Sequence, residues 1–341
     1  MSRIYYLLSL AFALIILAPT LNAQRRISLQ RGAKGDKMRA AAAGVLALSV
    51  GLAAAAAAQT LPPSAKNSPI AAPTTATPGC ANNPDALGIT RIVEIDTTGG
   101  PGFGFEHFKE HDFLRPKEVV LTFDDGPWPN NTPAVLAALA THCIKATFFP
   151  IGKHATWHPE ILKQVAAAGN SIGTHTWSHQ DLSKKSKEEA IREIEMGASA
   201  IRMAVGGPTA PFFRFPALRH PPEMVKYVGE RNIAIFSCDM DSFDFTMRKP
   251  EQVIKSVMTK LEKHGRGIIL MHDFQRATAE ALPELLNQLK ANGYKILHMV
   301  PKAPMQTIAR YDEMVIKENK LPTVSTRPTD SVVRTISEMP R

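Results

Sequence analysis

A chain of 341 residues with 44% apolar content is long enough for one large domain flanked by tails. Its net charge of +9 is concentrated at the front, where residues 1–39 hold seven bases and one acid and leave 33 basic against 30 acidic residues behind them. That near-balance, with no Lys/Arg stripe interleaved with aromatics, excludes a nucleic-acid partner.

Two export-like stretches stand in series. Residues 4–18 are an apolar run behind Arg3, and residues 40–58 are an Ala-rich run behind Lys37 and Arg39, with an Ala-x-Ala cleavage site before Gln59. The second is the better signal peptide. Its weak hydrophobicity favours cleavage over anchoring, so no stable membrane span is expected in the mature chain, which belongs in the periplasm or outside a bacterial cell. Codons for Lys34-Gly35-Asp36 resembling a ribosome-binding site mark Met38 as the expected true start. Residues 59–79, rich in Pro, Ala and Thr, read as a linker. Of the cysteines, Cys80, Cys143 and Cys238, the first two are the favoured pair because Cys238 sits in an apolar strand; three unpaired thiols is an equal alternative.

The folded domain is expected over residues 80–310. After a Gly-rich lead-in, strand candidates fall at 118–123, 146–151, 170–174, 211–215, 233–238, 267–271 and 295–299. Helices alternate with them. Thr132 is placed to cap a helix with Pro133 in its first turn, Gly169 closes a helix over 159–168, and Ser186-Lys187-Glu188-Glu189 opens one to about Ala204 as a capping box. Further helices are expected at 222–230, 250–264 and 277–291, the last stopped by Asn292-Gly293. Seven apolar strands alternating with helices argue an α/β fold, most simply a distorted (β/α) barrel of about seven parallel strands, with a doubly wound open sheet as the rival. Residues 311–341 are polar and aperiodic and are expected to be a loosely ordered tail.

In such a barrel the chemistry gathers at the C-terminal strand ends. Asp124-Asp125-Gly126-Pro127 closes the first strand, His175-Thr176-Trp177-Ser178-His179 follows the third, and Arg214-Phe215-Pro216 ends the fourth. The fifth runs into Asp239 through Asp244 and the sixth into His272-Asp273. Adjacent carboxylates repel unless a cation separates their roles, and two His four residues apart on a helical turn are spaced to chelate one ion. His175, His179 and one of the two aspartates would hold one divalent metal, zinc first, with cobalt or nickel as alternatives. Such an ion brings the pKa of a water from about 15.7 toward ~7. The other aspartate can then act as base and His272 as acid, with Arg214 pairing the base in a bidentate fork and Asp244 fixing the His272 tautomer. Asp239 and Asp241 compete for the Asp244 role. Trp128 and Trp177 can stack on a sugar or merely pack, and His142, His154, His158, His220, His264 and His298 read as ordinary.

The segments 122–127, 175–179, 214–216, 241–245 and 270–272 resemble the five ordered motifs of the NodB-type polysaccharide deacetylases, the family-four carbohydrate esterases, over about residues 118–300. The first two motifs together are highly specific. The resemblance implies a barrel of seven strands, Asp124 as base, Asp125, His175 and His179 as metal ligands, His272 as acid, Arg214 beside the base and Asp244 beside the acid. It also implies a metal-dependent hydrolase that removes N-acetyl groups from an acetylated glycan such as a chitooligosaccharide, peptidoglycan or a Nod-factor-type backbone. An O-acetyl esterase on xylan and a non-catalytic glycan-binding module are the alternatives. Two departures bear on substrate choice: the arginine is followed by Phe215-Pro216-Ala217 rather than Pro-Pro-aromatic, leaving the Ala217 N–H as oxyanion donor, and Phe245 stands where Trp is usual.

Overall fold

The computed structural model describes residue 80 and residues 83–319. Both export-like stretches, the linker, Met38 and the last residues of the tail lie outside these. In chain order the elements are β1 (Ile89–Ile95), β2 (Gly102–Phe103), β3 (Glu118–Asp124), α1 (Asn131–Thr141), β4 (Thr147–Phe149), α2 (Gly152–Trp157), α3 (Pro159–Ala167), β5 (Ser171–Ile172) and α4 (Lys187–Val205). They continue with β6 (Phe212–Phe213), α5 (Pro222–Glu230), β7 (Ala234–Phe236), β8 (Met240–Asp241), α6 (Pro250–His264), β9 (Gly267–His272), α7 (Arg276–Ala291), β10 (Lys295–Pro301) and α8 (Ala309–Glu318).

All strand pairs are parallel. One sheet runs β1-β10-β3-β4-β5, with β9 on the other edge of β3 and β8 beyond it, and a second runs β2-β7-β6. The two meet where Thr174 pairs with Phe213 and where the Ala210 N–H donates to the Ile172 carbonyl. They meet again along residues 234–242: Ser237 N bonds to Phe103 O, whereas Asp239 N two residues later bonds to Ile268 O. The strand thus changes partner midway, and the result is a distorted (β/α) barrel. β3 is buried along its whole length, as a strand covered on both faces must be, and this explains its apolar run, broken only by Thr122, whose hydroxyl donates to the Ile269 carbonyl.

Local signals place most boundaries. Ser186 Oγ accepts from the Glu189 N–H at 3.3 Å while Glu189 Oε2 accepts from the Ser186 N–H at 3.0 Å, the reciprocal capping box, and Gly206 at φ 72° ends α4. Cys80 and Cys143 are bonded, tying the lead-in to the end of α1, and Cys238 is a buried free thiol.

Several expectations are corrected. Thr132 does not cap α1; it lies inside the helix, buried, where its hydroxyl donates to Asp273 Oδ2 at 2.6 Å. The lead-in is not wholly irregular, since β1 and β2 both form there. The loosely ordered tail does not start at Arg310: residues 309–318 form α8, because Tyr311 and Val315, four apart, bury one face against Met196 and Ala200 of α4.

Candidate active site

The strand ends converge through backbone conformations that ordinary side chains avoid. Asp125, Thr176, His179, Ala217 and Phe243 all have positive φ, between 51° and 72°, in the loops that carry the motifs. The turn at Asp125 separates the adjacent carboxylates. Asp124 ends β3 facing inward and buried, while Asp125 points toward the imidazoles of the 175–179 turn. That turn is not helical: Thr176 and His179 are left-handed, and the two rings, 4.9 Å apart, come together through a tight loop rather than a helix face.

Asp125 Oδ1 lies 3.5 Å from His175 Nε2 and 3.5 Å from His179 Nε2. These three residues are a group that can hold a metal ion. Asp125 Oδ1 is buried and has no hydrogen-bond partner, a costly state for a carboxylate oxygen and the one expected of a ligand atom awaiting a cation. The residues therefore fit a metal. His175 Nδ1 sits 2.6 Å from the Arg214 carbonyl, which directs Nε2 at Asp125, and burial outweighs the nearby carboxylates to hold this imidazole below its ordinary pKa, in the neutral ligand form.

Arg214 is fully buried and spends its fork on four acceptors: Asp124 Oδ1 and Thr122 Oγ1, both at 2.7 Å, Phe236 O at 3.1 Å and Ser237 O at 2.8 Å. Its pairing with Asp124 is through one nitrogen, not the expected bidentate fork, because the other nitrogens are taken by carbonyls. Asp124 Oδ2 is left facing His175 Nε2 at 3.9 Å.

On the opposite wall His272 Nδ1 lies 2.6 Å from Asp244 Oδ1, and Asp244 Oδ2 accepts from the His272 N–H at 2.7 Å and the Thr278 hydroxyl at 2.5 Å. Burial pulls the His272 pKa down, but the Asp244 hydrogen bond and charge, with Asp125 and Asp124 behind them, outweigh it and raise it to about 9. Its Nε2 faces Asp125 Oδ2 at 3.9 Å. The rivals for the Asp244 position are occupied elsewhere: Asp239 accepts from the N–H groups of Phe105 and Ile268, and Asp241 from that of Phe243. The Ala217 N–H has no backbone acceptor among the described residues and Ala217 is exposed. Phe245 is also exposed, edge-on to His272 at 5.4 Å.

Three residues bear on the site beyond those expected. His154, read as ordinary, places Nδ1 2.6 Å from the Asp125 carbonyl and braces the backbone there. Asp273 lies fully buried behind Gly126, and burial pushes its carboxyl up to about 7. Thr278 anchors Asp244. Position beside a motif was the only available signal for Asp273, and the other two had none. Of the tryptophans, Trp177 is buried against α4 and α8, whereas Trp128 is exposed at the rim, edge-on to His154.

An Asp-His-His group that can hold a metal at the strand ends of a (β/α) barrel, with a buried carboxylate–guanidinium pair and an imidazole–carboxylate pair beside it, defines a barrel protein with a candidate metal centre. A family model described as polysaccharide deacetylase matches residues 113–235. The chain is 33% identical over 184 residues to the peptidoglycan-N-acetylglucosamine deacetylase PgdA of Listeria monocytogenes, covering 53% of this chain and 38% of that protein. It is 31% identical over 155 residues to a chitooligosaccharide deacetylase of Azorhizobium caulinodans, covering 46% of this chain and 73% of that one. In structure it resembles the Bdellovibrio bacteriovorus peptidoglycan deacetylase Bd3279, with TM-score 0.57 and 33% identity over 63% of this chain and 59% of that chain. The chain belongs to the polysaccharide deacetylase family. It spans 38% of the length of the Listeria relative, whose remaining regions have no counterpart in the match.

Proposed function

We propose that this protein hydrolyses the acetamide of N-acetylglucosamine units in a glycan, releasing acetate and leaving a free amine. The observation that carries the reading is the buried, unpartnered Asp125 Oδ1 set 3.5 Å from two imidazole nitrogens beside a separate carboxylate and a separate imidazole. Curated relatives named as deacetylases of peptidoglycan and chitooligosaccharide support it. Asp125, His175 and His179 hold a divalent cation, zinc by the N/O donor set and the count of three protein ligands. When bound, the cation supplies Lewis acidity, polarising the acetyl carbonyl and making water acidic enough to attack near neutral pH.

The protein's own groups do the rest. Asp124, its Oδ1 held by Arg214, offers Oδ2 to take a proton from the attacking water. The Ala217 N–H donates to the oxygen that gains negative charge as the carbonyl becomes tetrahedral. His272, protonated at Nε2 and steadied at Nδ1 by Asp244, gives that proton to the departing sugar nitrogen as the C–N bond breaks. Among the described residues no helix is long and apolar enough to cross a membrane, and the export-like front of the sequence suits a polymer outside the cytoplasm.

The test is acetate release from chitooligosaccharides, peptidoglycan strands and acetylated xylan, each with and without a chelator. Chelator-sensitive release from the first two is expected. Release from xylan alone would make the protein an esterase, and release from none at saturating zinc would leave a glycan-binding module. Asp124→Asn should abolish turnover with metal content intact; a fully active variant would refute the base assignment.

A further inference from the structure

The loop that presents Asp125 has few main-chain anchors. It runs from Asp125 to Asn130, two residues of positive φ at 72° and 66°, and α1 follows with no side-chain cap on Asn130. Among the described residues, main-chain bonds to the rest of the barrel secure only its first two positions: the Asp125 N–H donates to Phe149 O at 3.2 Å, and the Ile151 N–H to Gly126 O at 3.0 Å. The remainder is tied down by side chains, and both ties lead to residues just after His272. Thr132 Oγ1 accepts from the Trp128 N–H at 2.8 Å and donates to Asp273 Oδ2 at 2.6 Å, while Asn131 Nδ2 donates to Phe274 O at 2.6 Å. Two consecutive residues at the start of α1 thus grip two consecutive residues of the loop that follows β9.

Asp273 is the pivot of this join, and the reaction above gives it no part. Its side chain is buried, and it packs on Gly126 so closely that any Cβ there would overlap both carboxyl oxygens. Behind it Pro127, Phe148, Leu162 and Val165 form an apolar wall with no room for water. Oδ1 is buried without a hydrogen-bond partner, a costly state in surroundings otherwise suited to an apolar side chain. Packing alone would be served better by a hydrocarbon. What the carboxyl adds is a directed bond to Thr132, whose hydroxyl in turn fixes the Trp128 N–H.

We infer that Asp273 is a positioning residue that sets the separation between the Asp125 turn and His272. It touches no reacting atom. Its main chain continues directly from the proposed acid, and its side chain bears on the residue that follows the proposed metal ligand. Across the gap the two loops span, His272 Nε2 stands 3.9 Å from Asp125 Oδ2. The inference rests on the metal-dependent deacetylase reading and adds to it the part that holds acid and metal ligand in register. Without the join the two loops drift, and a displacement on the order of 1 Å at a ligand or an acid is felt in affinity and rate far more than in the fold.

The experiment measures zinc affinity of the full chain by competition with a chelating dye, and kcat and KM of the zinc-loaded protein on chitotetraose. Asp273→Ala should raise the zinc Kd about tenfold and lower kcat about 10- to 100-fold, with KM within about twofold of wild type. Asp273→Asn, whose amide oxygen still accepts from Thr132, should recover most of both losses. Thr132→Val should repeat the Asp273→Ala defect and Thr132→Ser should not, and Asp273→Ala/Thr132→Val should be no worse than the worse single variant. Leu289→Ala, a core truncation near the far end of α7, supplies a protein of lowered denaturation midpoint whose zinc Kd, kcat and KM should stay at the wild-type values. Should Asp273→Ala fail to fold, the Thr132 pair carries the same test, since valine keeps the shape of threonine without its hydroxyl. Zinc affinity is read without substrate, so a protein that releases no acetate from any glycan loses the deacetylase reading while the dye still decides the role of Asp273. A zinc Kd and kcat within about twofold of wild type in Asp273→Ala and Thr132→Val would reduce the carboxyl to a structural brace and overturn the inference. An Asp273→Asn defect as deep as that of alanine would overturn it too, by placing the effect in the charge rather than in the join.

Discussion

Replacing Arg214 with methionine should be among the most destabilising single changes this domain can suffer. The guanidinium is fully buried and satisfies Asp124 Oδ1, Thr122 Oγ1 and the carbonyls of Phe236 and Ser237, so its loss strands a carboxylate that is 2% exposed together with two main-chain acceptors. Breaking a buried pair by removing one partner costs about 3–5 kcal/mol, chiefly the penalty of the charge left behind. Methionine fills much of the volume and keeps contact with Phe149, whose ring lies 4.4 Å from the guanidinium, so a cavity adds little. If the stranded charge is the cause, Asp124→Asn in the Arg214→Met background should recover about 2 kcal/mol, although Asp124→Asn alone destabilises the wild type. Urea unfolding followed by far-UV circular dichroism, run on the four proteins of this cycle, measures both quantities. A single variant within about 1 kcal/mol of wild type, or a double variant no more stable than Arg214→Met, would refute the reasoning.

Three further outcomes are expected. Asp244→Asn removes the group that overcomes burial at His272, so the imidazole should lose its proton at lower pH; the alkaline limb of the pH–rate profile should move down, kcat at pH 8 should fall roughly 10- to 100-fold, and metal content by mass spectrometry should stay the same. Opening the Cys80–Cys143 bond by a double serine replacement frees a chain segment with a sequence separation of 63, which loop entropy values at about 4 kcal/mol, read as a lower denaturation midpoint that reductant reproduces in the wild type. Asp273, raised by burial from 3.8 to about 7, keeps in the folded state a proton that the unfolded chain releases. Its contribution is therefore complete below about pH 4 and lost as pH climbs toward 7, and Asp273→Asn should flatten that fall in stability, measured by thermal unfolding across the range.

The strand ends were legible in the sequence because five of the seven apolar runs stop abruptly at charged or imidazole residues, and a parallel barrel gathers such ends at one rim. β1 is hard to read because residues 89–95 alternate half-buried with exposed positions and only Ile95 is fully buried, as in an edge strand, with Arg91 turned to pair with Glu118 at the foot of β3. β2 and β8 are two residues long and have no periodicity to detect. α8 was hidden by its charges: Arg310, Asp312, Glu313, Lys317 and Glu318 mask a face held chiefly by Tyr311 and Val315. Spacing by four suggests that His175 and His179 share a helix face, but a left-handed turn brings the two rings together. His154 illustrates a further blind spot. Its bond is to a main-chain carbonyl, and nothing in a residue's type announces which carbonyl it will meet.

Two adjacent aspartates at the end of one strand pose a problem that the backbone solves before any cation arrives. Were both extended, alternate side chains would leave on opposite faces of the barrel wall, and one carboxylate would be buried among the helices with no partner. The left-handed conformation at Asp125, φ 72°, turns the chain so that both carboxylates face the same cavity yet address different partners: Asp124 the guanidinium on β6's end, Asp125 the two imidazoles. That conformation costs about 1–2 kcal/mol for most L-residues and less for aspartate, whose side chain tolerates it, and it is held by the Phe149 carbonyl on the Asp125 N–H and by His154 on its carbonyl. The glycine that follows admits the Asp273 carboxyl against its α-carbon, where a Cβ would lie 2.2 Å from an oxygen. The Asp-Asp-Gly sequence is thus a single backbone device, and its chemical roles follow from the turn it makes.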